Sequence, residues 1–310
     1  MYIKQVFKVE NHWWLYLIGV IIIGIATVVG SIPHFIAISL VVAFSEGKDI
    51  GSMQDPFELM SLIDSNLNLF LMLLSFAIGL LALFFVTKFI HKQSFKSLTT
   101  SRKKIDWNRF WFSFILWGFV TIIFVSIEYL SSPNNFVFNF ELVPFLILFF
   151  IAVIMIPLQT SFEEYLFRGY LMQGLGVLAK NRWLPLFLTS IAFGLLHIAN
   201  PEIEKLGNIL LIHYIGTGFL LGIMTLMDEG LELALGFHAA NNLVASLLMT
   251  ADWTAFQTNS ILKDVSDPSM GNFEIIFPVF IVYPILLFVL SKKYNWTNWR
   301  DKLFGAVNND

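Results

Sequence analysis

Residues 145–157 read FLILFFIAVIMIP, and residues 161–170 follow as Ser161-Phe162-Glu163-Glu164-Tyr165-Leu166-Phe167-Arg168-Gly169-Tyr170. The first run carries no charge. Two adjacent carboxylates and an arginine then arrive together at membrane depth. Burying such charges costs several kcal/mol each unless they are paired, and ionisable residues within spans point to function by default.

The surrounding composition fixes what kind of depth this is. The chain of 310 residues is 57% hydrophobic and 13% charged, with a mean hydropathy of +0.73, against roughly a quarter charged in a soluble domain. The apolar residues fall in blocks at 13–44, 67–90, 110–130, 142–173, 184–200, 208–227, 231–249 and 273–290. Such blocks have the length that crosses ~30 Å of hydrocarbon at ~1.5 Å per residue. They do not alternate apolar and polar as barrel strands would. The expectation is an all-α polytopic membrane protein, a bundle of about eight transmembrane helices. The first block is too long for a cleaved signal peptide and reads as a retained anchor. Gly30 and Pro33 are expected to bend it, and His34 beside them reads as a structural polar residue.

With eight spans and both termini cytoplasmic, only Lys48, Lys205 and Lys263 of the 19 lysines and arginines fall outside, as cytoplasmic enrichment in lysine and arginine requires. The same rule accounts for the basic run between Lys88 and Arg109, so no nucleic-acid partner is inferred. The acidic residues 46–64 lack calcium-loop spacing and read as a solvated outer loop. There are no cysteines, which removes disulfides, thiolate zinc sites and a cysteine nucleophile. Organisation is expected as a three-span scaffold over 1–135, a catalytic core of spans four to seven over 139–250, and a last span with a tail over 251–310, integrated into one domain.

On a helix, adjacent residues point about 100° apart, so Glu163 and Glu164 cannot share one role. Arg168 lies four residues beyond Glu164, the spacing that favours an ion pair. Glu164 is therefore expected to be held by Arg168, which leaves Glu163 facing a cavity as a candidate general base. On the fifth span, Phe193 and His197 are four apart and share a face. On the seventh, His238 and Asn242 do the same, with Ala239 and Ala240 between them small enough for another backbone to approach. His213 does not fit this constellation and reads as a packing or supporting residue. Glu163, His197, His238 and Asn242 converging from three helices can position a water or bind a metal ion.

Glu-Glu-x-x-x-Arg, then Phe-x-x-x-His, then His-x-x-x-Asn resembles the three motifs of the CAAX protease and bacteriocin-processing (CPBP, or Abi) family of intramembrane endopeptidases, which includes the Ras-converting CAAX endopeptidases. The resemblance covers about residues 142–249. It implies that Glu163 activates the attacking water with help from His197. His238 and Asn242 stabilise the oxyanion, while Glu164, Arg168 and Phe193 support the site. It also implies a peptide or membrane-protein substrate and a multi-pass protein of the cell membrane, by family a bacterial inner membrane. The family is described both as metal-dependent, which would make Glu163, His197 and His238 ligands of a divalent ion such as zinc, and as glutamate-dependent with no metal. No His-Glu-x-x-His, Gly-x-Gly-Asp or Gly-x-Ser-x-Gly motif of other protease classes is present.

Two other functions use the same residues. One is a proton-coupled transporter with the glutamate and histidines as a relay, although no matched pair of Gly/Pro-broken spans appears in two halves. The other is an inert binding or immunity protein that keeps the fold. The proteolytic reading makes one structural demand. Glu163 must reach the level of His197, so the fourth helix must run on past Arg168 and the fifth must be short or tilted.

Overall fold

The computed structural model describes residues 1–44, 62–267 and 272–308. The expected outer loop falls almost wholly on residues 45–61, outside them. Long apolar runs become helices because hydrocarbon offers backbone groups no other hydrogen-bond partners. The long helices are α1 (Trp13–Phe44), α2 (Ser65–Ile90), α3 (Trp107–Ser131), α4 (Leu142–Ala179), α5 (Trp183–Leu195), α6 (Leu210–Asp228), α7 (Glu232–Leu248) and α8 (Phe273–Tyr294). The chain is an all-α, polytopic membrane protein. Its helices gather into several buried apolar clusters, the largest joining Trp117 of α3 to residues of α6, α7 and α8.

Eight expected spans become six helices of crossing length among the described residues, with α5 and α7 as shorter pieces. At 13 and 17 residues, α5 and α7 cover only ~20 and ~26 Å. α5 stops at Leu195 because the chain turns there and restarts at Pro201, which occupies the first turn of a short helix. α7 need not be apolar on the outside. Every residue from Glu232 to Ala240 is buried, so protein rather than lipid surrounds Glu232 and His238, and Asn241 and Asn242 are half-buried. A Cβ on Gly236 would sit 2.2 Å from the Phe110 carbonyl oxygen, so glycine sets how closely α3 and α7 approach. Gly218 does the same between α6 and α5, where the obstacle is the Ser190 carbonyl oxygen at 2.6 Å.

α4 meets the depth demand. It is one continuous span of 38 residues from Leu142 to Ala179, and Tyr165–Leu171 within it is a π-helical stretch. Such stretches are rare and recur at functional sites. The charged stretch is thus interior helix.

Both ends of the chain meet on one face. Glu229, just past α6, accepts from the Tyr2 backbone N–H and the Lys302 ammonium. Beside it, Arg102 bonds Asp228 at 2.6 Å and Glu232 at 3.0 Å, and Arg109 also reaches Asp228. At the opposite end is a small feature the sequence reading lacked. Strands β1 (Phe136–Phe138), β2 (Met249–Ala251) and β3 (Leu262–Asp264) form a sheet in the order β1-β3-β2, antiparallel then parallel.

Two outcomes follow from this packing. In the cysteine-free background, Lys8→Cys and Asn308→Cys should be labelled from the same side of sealed vesicles by an impermeant thiol reagent, and Asn134→Cys from the other. Labelling of the first two from opposite sides would overturn the shared face. Gly236→Ala should lower stability by about 1–3 kcal/mol, the usual cost of overpacking, read as a fall in the Tm of the detergent-purified protein.

Candidate active site

α4 supplies Gln159, Glu163, Glu164 and Arg168, and α7 supplies His238 and Asn242. Glu164 and Arg168 are fully buried and paired, with the Arg168 Nη1 to Glu164 Oε1 distance at 3.1 Å. The guanidinium also donates to the Gly218 carbonyl at 3.1 Å and lies 4.3 Å above the Phe193 ring. Glu164 therefore has the structural partner that the i,i+4 spacing indicated.

Its second partner is His238. The ring donates its Nδ1–H to Glu164 Oε1 at 2.8 Å, because a carboxylate oxygen can only accept. In the neutral ring this fixes the tautomer and leaves a lone pair on Nε2. That nitrogen faces Glu163 Oε2 at 3.5 Å. Glu163 Oε1 accepts from Gln159 Nε2 at 2.7 Å, whereas its Oε2 is buried and has no hydrogen-bond partner among the described residues. Two lone-pair-bearing atoms thus face each other, a geometry suited to sharing a proton or taking hydrogens from a bound water. Asn242 joins the group through Gln159, donating from Nδ2 to Gln159 Oε1 at 3.1 Å.

His197 stands apart from them. It lies in the turn after α5 rather than on the helix, and its backbone N–H bonds the Gly194 carbonyl. Its Nδ1–H donates to the Phe193 carbonyl at 2.8 Å. Among the described residues no hydrogen bond or ion pair joins it to Glu163 or His238. The Phe193 ring packs against both histidines, 4.9 Å from His197 and 5.9 Å from His238. Tyr214 stacks on His197 at 4.2 Å and donates its hydroxyl to Glu202 at 2.6 Å. His213 sits behind this layer, its ring near those of Tyr214 and Tyr283. His34 is satisfied far away, with Nε2 at 2.6 Å from Asn68 Oδ1.

The metal alternative asks for three ligands on one point. Among the described residues no three histidine, aspartate or glutamate side chains are arranged to hold a metal ion. Glu163 Oε2 and His238 Nε2 converge, but His197 does not join them, and catalytic zinc sites use three protein ligands. The donor set in this arrangement does not fit a resident zinc.

Sequence reasoning missed Gln159, Tyr214 and Glu202. Gln159 was within reach, since it precedes Glu163 by one helical turn on the same face. Tyr214 and Glu202 come from separate elements, and no spacing connects them to His197.

Residues 139–244, which hold all seven residues of the three motifs, match the sequence model of the family described as type II CAAX prenyl endopeptidase Rce1-like. The uncharacterised protein YyaK of Bacillus subtilis (strain 168) is 31% identical over 249 residues, which are 78% of this chain and 79% of that protein. The chain belongs to the Rce1-like family. No solved structure matches it. At the level of the family, a multi-pass Rce1-like protein is a CAAX-type intramembrane protease.

The buried pair yields a stability test. Arg168→Met leaves Glu164 as an uncompensated buried charge and should cost about 3–5 kcal/mol. Adding Glu164→Leu should restore much of that, because removing both charges removes the desolvation penalty with them. Thermal unfolding of purified wild type, Arg168→Met, Glu164→Leu and the double variant measures this, and additive losses in the double variant would contradict the pairing.

Proposed function

We propose that this protein is an endopeptidase that hydrolyses a peptide bond in a peptide or in the tail of a membrane-associated protein, with Glu163 as the base that activates water. The observation carrying the reading is Glu163 Oε2, buried without a hydrogen-bond partner and facing His238 Nε2 at 3.5 Å. Every other carboxylate or imidazole contact around it fixes position. Arg168 and Glu164 orient His238, and Gln159 occupies the other Glu163 oxygen.

In this reaction a water lies against Glu163 Oε2 and His238 Nε2. Glu163 takes one of its protons while the oxygen adds to the scissile carbonyl carbon. The carbonyl oxygen becomes an oxyanion and accepts a hydrogen bond from Asn242 Nδ2–H, while neutral His238 accepts at Nε2 from the hydrogen that the attacking oxygen keeps. Collapse of the tetrahedral intermediate breaks the C–N bond, and the proton held by Glu163 passes to the leaving amine. His197, whose ring packs on the same Phe193 ring as that of His238, assists the water. Residues 139–250 form the catalytic part, with 1–135 as its scaffold and 251–310 as a last span and tail. The face holding both termini is assigned to the cytoplasm of a cell membrane, in line with the lysine and arginine distribution.

Quantitative proteomics of membranes expressing wild type, Glu163→Ala or His238→Ala tests the proposal. One or more precursors should accumulate in both variants while the level of the enzyme itself stays constant. On a purified precursor, each variant should lose about 10²–10⁴-fold in kcat, the range for removing a general acid or base. Asn242→Ala should lose about 10²–10³-fold, as an oxyanion donor does. Identical substrate profiles in all three membranes would sink the proteolytic reading.

A further inference from the structure

Asn241 and Trp117 lie outside the three motifs, yet they begin a hydrogen-bonded series that ends on Glu163. The Trp117 Nε1–H on α3 donates to Asn241 Oδ1 at 3.0 Å, and Asn241 Nδ2 donates to Asn242 Oδ1 at 3.0 Å. Asn242 Nδ2 then donates to Gln159 Oε1 at 3.1 Å, and Gln159 Nε2 donates to Glu163 Oε1 at 2.7 Å. Four bonds cross from α3 through α7 to α4.

The two ends of this series determine its direction. An indole N–H can only donate, and an ionised carboxylate can only accept. Each of the three amides between them can turn either its oxygen or its NH₂ group towards Trp117. One orientation of all three satisfies every bond, and turning any one of them sets oxygen against oxygen or nitrogen against nitrogen. Trp117 itself cannot turn easily. It is 5% exposed, with its ring 4.3 Å from that of Phe237 and 6.0 Å from that of Tyr283. Gly236 holds α3 close enough to α7 for the contact to form.

We infer that Trp117 and Asn241 are positioning residues of this active site, fixing through Asn242 and Gln159 which atoms the amides present to the reacting groups. With the observed polarity, Gln159 offers an N–H to Glu163 Oε1, leaving Oε2 for the water. Asn242 also offers its second Nδ2–H, rather than its oxygen, where negative charge develops on the substrate. Reversed polarity would set the Gln159 carbonyl oxygen against the carboxylate and the Asn242 oxygen against the oxyanion. Buried series of this kind gain strength from low local dielectric and lose it when one member is unsatisfied. The inference rests on Glu163 acting as the base.

Trp117→Phe keeps the aromatic packing and removes the one donor, while Asn241→Leu breaks the second link without adding charge. Selective ¹⁵N-glutamine labelling of the detergent-solubilised protein reads the far end without any substrate, with Gln159 assigned by the signal lost in Gln159→Leu. The Gln159 side-chain amide protons should move upfield, towards the free-amide position, in both variants. An unchanged Gln159 signal in both would overturn the relay. On a precursor found in the membrane comparison, each variant should lower kcat by about fivefold, the effect size of one neutral hydrogen bond. KM should hold, while Tm falls modestly in each variant because a buried group loses its partner. The double variant should also lose about fivefold rather than about 25-fold, because both changes cut one series. Multiplicative losses, or a fall in kcat with the Gln159 signal unchanged, would reduce Trp117 and Asn241 to packing and overturn the inference. If the Gln159 signal responds but wild type cleaves nothing, the relay stands and the proteolytic reading fails.

Discussion

A fully buried ion pair between Glu164 and Arg168 is the constraint on which the site depends. At zero exposure neither charge can be left alone, so α4 must hold both in register. The pair draws in its surroundings. Arg168 needs the Gly218 carbonyl of α6 and the face of Phe193 on α5, and Glu164 takes the Nδ1–H of His238 on α7. Three helices are thereby fixed around one side-chain pair. Buried pairs of this kind contribute little net stability, because desolvation offsets attraction. Here the return is geometric. Once Nδ1 is committed, the only imidazole atom left to face Glu163 is Nε2.

The two adjacent glutamates divide accordingly, and that division was legible before any coordinates. Glu164 sits one turn from Arg168 and Glu163 does not, and the ~100° between neighbours does the rest. The length of α4 was legible too, since Glu163 could reach the depth of His197 only if the helix ran on. The placement of His197 was not legible. Its four-residue spacing from Phe193 suggested one continuous helix face, but α5 ends at Leu195 and a turn carries the imidazole back onto the Phe193 carbonyl. Helix ends set by a change of direction leave a weak trace in an apolar run. Pro201 was the one marker, and it lies several residues later. The small sheet escaped for a related reason, since three-residue strands carry too little alternation to be seen.

α7 shows why hydropathy alone misjudges a polar core. Glu232, His238, Asn241 and Asn242 lie on a single helix of 17 residues. Read as a span exposed to lipid, it would be costly. Enclosed by α3, α4 and α6, each polar group has a partner, and the helix is polar because protein surrounds it. Trp117 is the converse case. By composition it is one more aromatic residue in an apolar span, and only its contact with Asn241 distinguishes it. No spacing within a single helix could reveal a bond between α3 and α7. Sequence pattern therefore reports contacts along one element well and contacts between elements poorly.

The electrostatics of the proposed reaction suit this enclosure. In the proposed reaction the negative charge starts on the Glu163 carboxylate. When Glu163 takes a proton from water and the oxygen adds to the carbonyl, no new net charge is created. The charge moves from the carboxylate to the oxyanion. A low-dielectric site penalises creating charge far more than relocating it over a few ångströms. The donors match the two positions of that charge. Gln159 serves the first and Asn242 the second, and the two amides are bonded to each other. An arrangement of fixed amide dipoles bridging the start and end of a moving charge needs no reorganisation as the charge shifts, which is the property that electrostatic catalysis requires.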